Sequence, residues 1–289
     1  MRHFLPAAAH SRRDFLYAAG AAAALSLIGV PAHGALARPL ACRLASYGKF
    51  QDAAWAHLPS IGVKHLFLSV PAPDQLEPTM ARLAAHSLTP LVVRGDADLS
   101  SAACLDALTV QLAACKTMGV HYMFLSPKHA SAPKDTAIAY LRQAGDIAKE
   151  HGVTISLETH PDLGTNGDVH VETMTALDHP NVRVNFDTGN ITYYNRDRNA
   201  VDELKKAVDY VATVEVKEHN GALESWTFPP LGKGIVDFRG VFAVLDAHGY
   251  AGPVTLEFEG TKGVELNEAQ TKAAIEESVR YLRSVGTFV

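Results

Sequence analysis

From Pro39 onward the chain repeats one pattern about every 20–30 residues: a short apolar run rich in β-branched side chains, a polar loop, then apolar positions at helical spacing. The apolar runs predict eight strands, at 43–46, 65–69, 90–94, 121–125, 154–158, 183–187, 213–217 and 254–257. Helices are predicted over 74–86, 102–118, 135–151, 202–210, 238–248 and 267–285. In the third of these, Tyr140, Leu141, Ala144, Ile147 and Ala148 share a face. Ser100 and Ser101 stand as N-caps before Ala102, and Gly119 and Gly152 stop helices whose last turns are basic. Near-continuous apolar strands are the mark of parallel strands covered on both faces. Eight alternations without a Pro/Ser-rich linker predict an α/β fold of one domain, a closed (β/α)8 TIM barrel rather than an open doubly wound sheet.

The segment before Pro39 departs from that pattern. Ser11-Arg12-Arg13-Asp14-Phe15-Leu16 resembles the twin-arginine export signature and leads into 14 largely apolar residues, 17–30. That run is short of the roughly 20 residues a membrane-spanning helix needs. Pro31 follows, then Ala35-Leu36-Ala37, a small-residue cleavage pattern. Residues 1–37 are therefore read as a cleaved leader and 38–289 as the catalytic domain, placed in the periplasm with no membrane association after cleavage. A membrane-anchored N-terminus is the alternative.

Composition narrows the function classes. A chain that is 47% hydrophobic and 20% charged is neither disordered nor a coiled coil. Three cysteines exclude a disulfide framework, and Cys104 and Cys115, on one predicted helix, are about 16 Å apart. Removing the leader's three arginines and one aspartate takes the net charge from −5 to −7. With no basic cluster, that argues against a nucleic-acid partner. Gly232-Lys233-Gly234 lacks the spacing of a phosphate loop and no GxGxxG run occurs, so no nucleotide cofactor is expected.

The candidate chemistry sits where the last four strands end: Ser156-Leu157-Glu158-Thr159-His160, Asn185-Phe186-Asp187-Thr188-Gly189-Asn190, Val214-Glu215-Val216-Lys217-Glu218 and Thr255-Leu256-Glu257-Phe258-Glu259. In barrels of this kind the C-terminal strand ends carry the active residues. Four carboxylates converging on one mouth repel one another unless a cation joins them. A divalent metal held by Glu158, Asp187, Glu215 and Glu257 resolves the conflict. An all-oxygen set suits Mn, Mg or Ca better than Zn.

Four runs resemble the xylose-isomerase-like barrel superfamily of sugar isomerases and epimerases. They are Ala148 to His160, Asn185-Phe186-Asp187-Thr188-Gly189-Asn190, Pro230 to Phe238 and Gly249 to Glu257. The resemblance implies a metal held by Glu, Asp, His and Glu at the ends of strands five to eight. Glu158, Asp187 and Glu257 match, whereas this chain has Glu215 where many members have His. It further implies that Glu158 and Glu257 move a proton on opposite sides of a sugar or keto-sugar, through an enediolate. It also implies a homo-oligomer, dimeric or tetrameric. His160 stands two residues past Glu158, either to orient the sugar or shuttle a proton, or to cap its loop. Lys217 is placed to bind an oxyanion, or to pair with Glu218 or Asp187. Asn190 is suited to hydroxyl groups, and His129, His219, Trp226 and Phe228 lie in loops at the mouth.

A lyase acting on 3-keto-glycosides shares the first step, and product analysis separates it from an isomerase. A non-catalytic sugar-binding barrel is a third class, motivated by Glu215. The apurinic-endonuclease branch, with three zinc ions and many histidines, is disfavoured by Asn190, by Glu215 and by the charge of −7.

Overall fold

The computed structural model describes residues 36–289. Residues 1–35 of the expected leader, with the export signature, lie outside the described residues. Ala35–Val289 forms one compact unit. Eight parallel strands close a barrel in the order β1 (Leu40–Arg43), β2 (His65–Ser69), β3 (Thr89–Gly95), β4 (Tyr122–Leu125), β5 (Thr154–Glu158), β6 (Val182–Asp187), β7 (Val211–Val216) and β9 (Val254–Leu256). The seam is made by the first and last of these, with Leu40, Ala41 and Cys42 opposite Val254, Thr255 and Leu256. A short antiparallel ribbon, β8 (Thr227–Phe228) with β10 (Gly260–Thr261), stands apart from the barrel. The fold class is as the sequence pattern predicts.

The helices are α1 (Gln51–Ser60), α2 (Leu76–Ala85), α3 (Ala103–Met118), α4 (Lys134–His151), α5 (Gly167–Leu177), α6 (Thr188–Tyr194), α7 (Ala200–Ala207), α8 (Phe238–His248) and α9 (Glu268–Val285). Gly119 and Gly152 end α3 and α4 with φ of 68° and 69°, the left-handed conformation a C-terminal glycine supplies. Asp237 caps α8 by accepting from Gly240 N, and Asn267 and Gln270 form a capping box on α9. Ser100 and Ser101 do not cap α3. Its N-cap is Ala102, and the turn is held instead by Ser100 N donating to Asp98 Oδ1.

The first strand also differs from the expectation of 43–46. It is Leu40–Arg43, all buried, and Leu44–Phe50 coils as a 3-10 segment. Arg43 therefore ends the strand instead of beginning it, which carries its side chain from the base of the barrel to the mouth. Three helices escape the periodicity, α1, α5 and α6: the first two show no clean apolar stripe, and α6 is a short, mostly buried run.

The main apolar core lies between barrel and helices. Inside the barrel, Ala41, Phe67, Val92 and Phe124 form a separate layer beneath the mouth. Cys42, Cys104 and Cys115 are buried free thiols. Among the described residues no helix is long and apolar enough to cross a membrane.

Candidate active site at the barrel mouth

Glu158 ends β5, Asp187 ends β6 and Glu215 lies on β7 directly opposite Asp187 in the register. Each offers an oxygen, and the three oxygens lie within 4.8 Å of one another. The chain fixes Asp187 by using it twice. Its Oδ1 caps α6, accepting from Gly189 N at 2.9 Å and Asn190 N at 3.0 Å. Its Oδ2 is fully enclosed and has no hydrogen-bond partner. Gly189 permits this close turn, since a Cβ there would stand 2.9 Å from Lys217 Cγ and 3.0 Å from Lys217 O. Behind Asp187, Thr159 Oγ1 accepts from its backbone N–H at 3.0 Å and contacts His170 Nε2 at 3.0 Å.

Glu215 is wholly buried and accepts from Arg43 at 3.2 Å and from Asn185 Nδ2 at 3.4 Å. Thr213 Oγ1 donates to Asn185 Oδ1 at 2.6 Å and so orients that amide. Glu257, the residue after β9, stands outside the triad. It is gripped by Arg43 and by Lys217 Nζ at 3.1 Å. Lys217 also meets Glu259 at 2.5 Å, donates to Asn190 Oδ1 at 3.3 Å and lies 4.2 Å over the Phe228 ring. The Arg43 guanidinium rests over Phe67 and Phe124, 4.9 and 5.2 Å from their centroids. Apolar layer, cation and carboxylates are thus stacked from the barrel interior outward.

The electrostatics follow from burial. Desolvation drives the Asp187 carboxyl up to about 8, with Lys217 opposing and Glu257 and Glu158 reinforcing the shift. Glu215 is raised well above the ordinary carboxylate value by desolvation and by Glu257, against Arg43. Burial acts on Glu257 in the same direction, but Arg43 and Lys217 outweigh it and its carboxyl falls below the ordinary value. Two buried acids that resist ionisation, an enclosed oxygen with no hydrogen bond and only Lys217 Nζ at 4.0 Å, and a third carboxylate within reach make a donor set that fits a divalent cation. Of the four expected ligands, three come together and the fourth is held by two cations.

A cavity of about 250 Å³ opens above these groups and is lined by Glu158, Glu257, Lys217, His160, Asn190 and Trp226, among others. His160 Nδ1 donates to Pro161 O at 2.7 Å, which leaves Nε2 as the free ring nitrogen. Asn190 Nδ2 donates to Thr159 O at 3.0 Å and to Glu158 Oε1 at 3.4 Å. Trp226 is 44% exposed and packs edge-on against Tyr193 and Phe228. His219 is not at the cavity. It is buried, with Nε2 donating to Ser225 O at 3.0 Å and Nδ1 beside Thr192 Oγ1 at 2.8 Å, and burial lowers its pKa. It therefore braces the loop rather than meeting a ligand. His129 also faces away, toward Ala132 O and Asp162. Lys217 does not pair with Glu218, whose carboxylate turns to the loop and accepts from Gly232 N, Val236 N and His219 N.

Sequence reasoning missed Arg43, Glu259, Tyr193 and Tyr194, all of which line the cavity. Glu259 was within reach, two residues past Glu257 on the same alternation.

A model of the family described as xylose isomerase-like TIM barrel matches residues 75–285. An inosose dehydratase of Geobacillus thermodenitrificans is 28% identical over 141 residues, 43% of this chain and 47% of the relative. The match thus spans about half the length of the curated relatives. The D-allulose 3-epimerase from Methylomonas sp., solved with D-allulose, has a TM-score of 0.70 at 16% identity over 86% of this chain and 98% of the other. The IOLI protein with a binding zinc atom has a TM-score of 0.68 at 18% identity, covering 86% and 97% of the two chains. At these identities the solved structures share the fold.

Proposed function

Because the chain belongs to the xylose isomerase-like TIM barrel family, we propose that it is a divalent-metal-dependent enzyme of small sugars or keto-sugars. It takes a proton from the carbon next to a carbonyl and returns it, so isomerising or epimerising the sugar. The observation that carries this reading is the placement of Glu158 and Glu257 on one cavity, three strands apart around the barrel. Glu158, Asp187 and Glu215 would hold the metal. The chemistry a divalent ion supplies there, when bound, is Lewis-acid polarisation of the carbonyl oxygen.

The chain's own residues supply the rest. Glu257, held ionised by Arg43 and Lys217, accepts the α-proton. Lys217 presents a donor to the enediolate oxygen, and Asn190, which accepts from Lys217, orients that ammonium. Glu158, across the cavity, delivers a proton to the opposite face of the carbon, and exchange with solvent returns both carboxyls to their starting states. Trp226 offers its face to the apolar side of the ring. The test is exchange of a carbon-bound proton of a keto-sugar with D₂O, followed by NMR. No exchange with any keto-sugar by metal-loaded protein would sink the reading.

Elimination is the second reading, favoured by the Lys217–Glu259 pair at 2.5 Å. After the same proton removal, the leaving oxygen on the next carbon departs with a proton from Lys217. Dehydration, the reaction for which the inosose dehydratase relative is named, is of that kind. A product lighter by water or by an aglycone distinguishes it. The periplasmic location is part of the proposal, supported by the export signature and tested by cell fractionation.

A further inference from the structure

Four cations line the catalytic cavity, Arg43, Arg94, Lys128 and Lys217. Two are committed: Arg43 to Glu215 and Glu257, and Lys217 to Glu257 and Glu259. Arg94 and Lys128 join no ion pair among the described residues. Arg94 lies on β3, opposite Ser69 on β2 and Phe124 on β4. It is half-buried, and its Nε is enclosed without a hydrogen-bond partner. A guanidinium left unpaired at the lip of a cavity is an unspent donor set, because every buried N–H without a partner forgoes the water it gave up on folding. Lys128 is exposed, in the loop after β4.

Both residues also line a second, larger cavity of about 720 Å³, between the segment after β2 and helix α3. Arg94 and Lys128 therefore flank the junction of the two cavities. The acids cluster on the other side of the catalytic cavity, on β5 to β7 and just after β9.

We propose that the substrate carries an oxyanion group, a carboxylate or a phosphate, taken by Arg94 and Lys128 at this junction. This rests on the reading of the mouth as a sugar site. A planar guanidinium meets either group with two parallel N–H donors, and the ammonium adds a point charge. The charge also orients the molecule. An anionic end is drawn to Arg94 and Lys128 and repelled by Glu158 and Glu257, so the carbonyl end is directed at the acids. The larger cavity gives the anionic end room beyond the catalytic one.

The experiment is calorimetric binding of glucuronate, glucose 6-phosphate and glucose to the full chain, and to Arg94→Gln, Arg94→Lys and Lys128→Gln. Tighter binding of one or both anions than of glucose is expected, and which anion leads identifies the group. Arg94→Gln is expected to weaken the anion by about 10–100-fold, so that the anion-to-glucose ratio collapses toward one, with Arg94→Lys in between. Thermal melts of the variants confirm folding. Glucose binding as tightly as both anions, no anion binding at about 10 mM, or an unchanged ratio in Arg94→Gln and Lys128→Gln each overturns the proposal. Anion binding without proton exchange in D₂O upholds it and counts against the isomerase reading alone.

Discussion

Arg43, the last residue of the first barrel strand, donates to Glu215 of the seventh at 3.2 Å and grips Glu257 on the other side. One guanidinium thus serves two carboxylates where the family resemblance implied a histidine ligand at position 215. Removing it leaves the ionised Glu257 with Lys217 alone and the buried Glu215 with Asn185 alone. Arg43→Met is expected to lose about 3–5 kcal/mol of stability at neutral pH, measured by urea unfolding. A loss under about 1 kcal/mol, the range of exposed pairs, would show the interaction to be slight.

The triad and Glu257 have separable duties. Purified protein is expected to carry about one divalent ion per chain, which Asp187→Asn abolishes. Glu257→Gln is expected to keep the ion, because that residue stands outside the triad, while losing about 10²–10⁴-fold of the exchange rate. Elemental mass spectrometry with D₂O exchange reads both. Loss of the ion in Glu257→Gln would return Glu257 to the ligand set.

His170 sets an acid limit on stability. Burial lowers its pKa to about 3, from an ordinary 6.5 in the unfolded chain. The unfolded state therefore binds the proton first. Stability from this group is complete above about pH 6.5 and is lost as pH falls toward 3, on the order of 2 kcal/mol or more. Urea midpoints across that window should fall with acidification, and His170→Leu should flatten the slope.

Gly234 lies where a Cβ would stand 2.2 Å from His219 O and 2.5 Å from Glu218 Oε1. Glu218 organises the loop that carries Gly232 and Val236, so the clash falls on its anchor. Gly234→Ala is expected to cost about 1–3 kcal/mol and to raise KM for the sugar. A melting temperature equal to that of the parent would contradict it.

The barrel and the four acidic strand ends were legible because each strand is an apolar run and the last four carry a carboxylate at or beside the end, a local pattern. What escaped was non-local. Arg43 follows three small or apolar residues, and only the pairing of Leu40 to Cys42 with β9 and of Ala41 to Arg43 with β2 shows that the strand ends there. The helix α6 reads as a strand-like run of Thr, Ile and Tyr, and it forms because Asp187 caps it. Glu257 matched a ligand pattern, but its partners come from β1 and from just after β7, far away in sequence. His219 was placed in a mouth loop correctly, and its ring turns inward because Thr192 and Ser225 satisfy both nitrogens.

The seam between Leu40–Arg43 and Val254–Leu256 joins the first and last strands of the barrel. Arg43 lies at its rim and clasps Glu257 across it. The final closure of the ring and the neutralisation of its acids are therefore a single event. A fragment beginning after β4 would hold every acid of the site with Lys217 as their sole committed cation. The charges of the catalytic half are balanced only with the amino-terminal strand docked, so an enzyme with a balanced site is also one whose ring has closed.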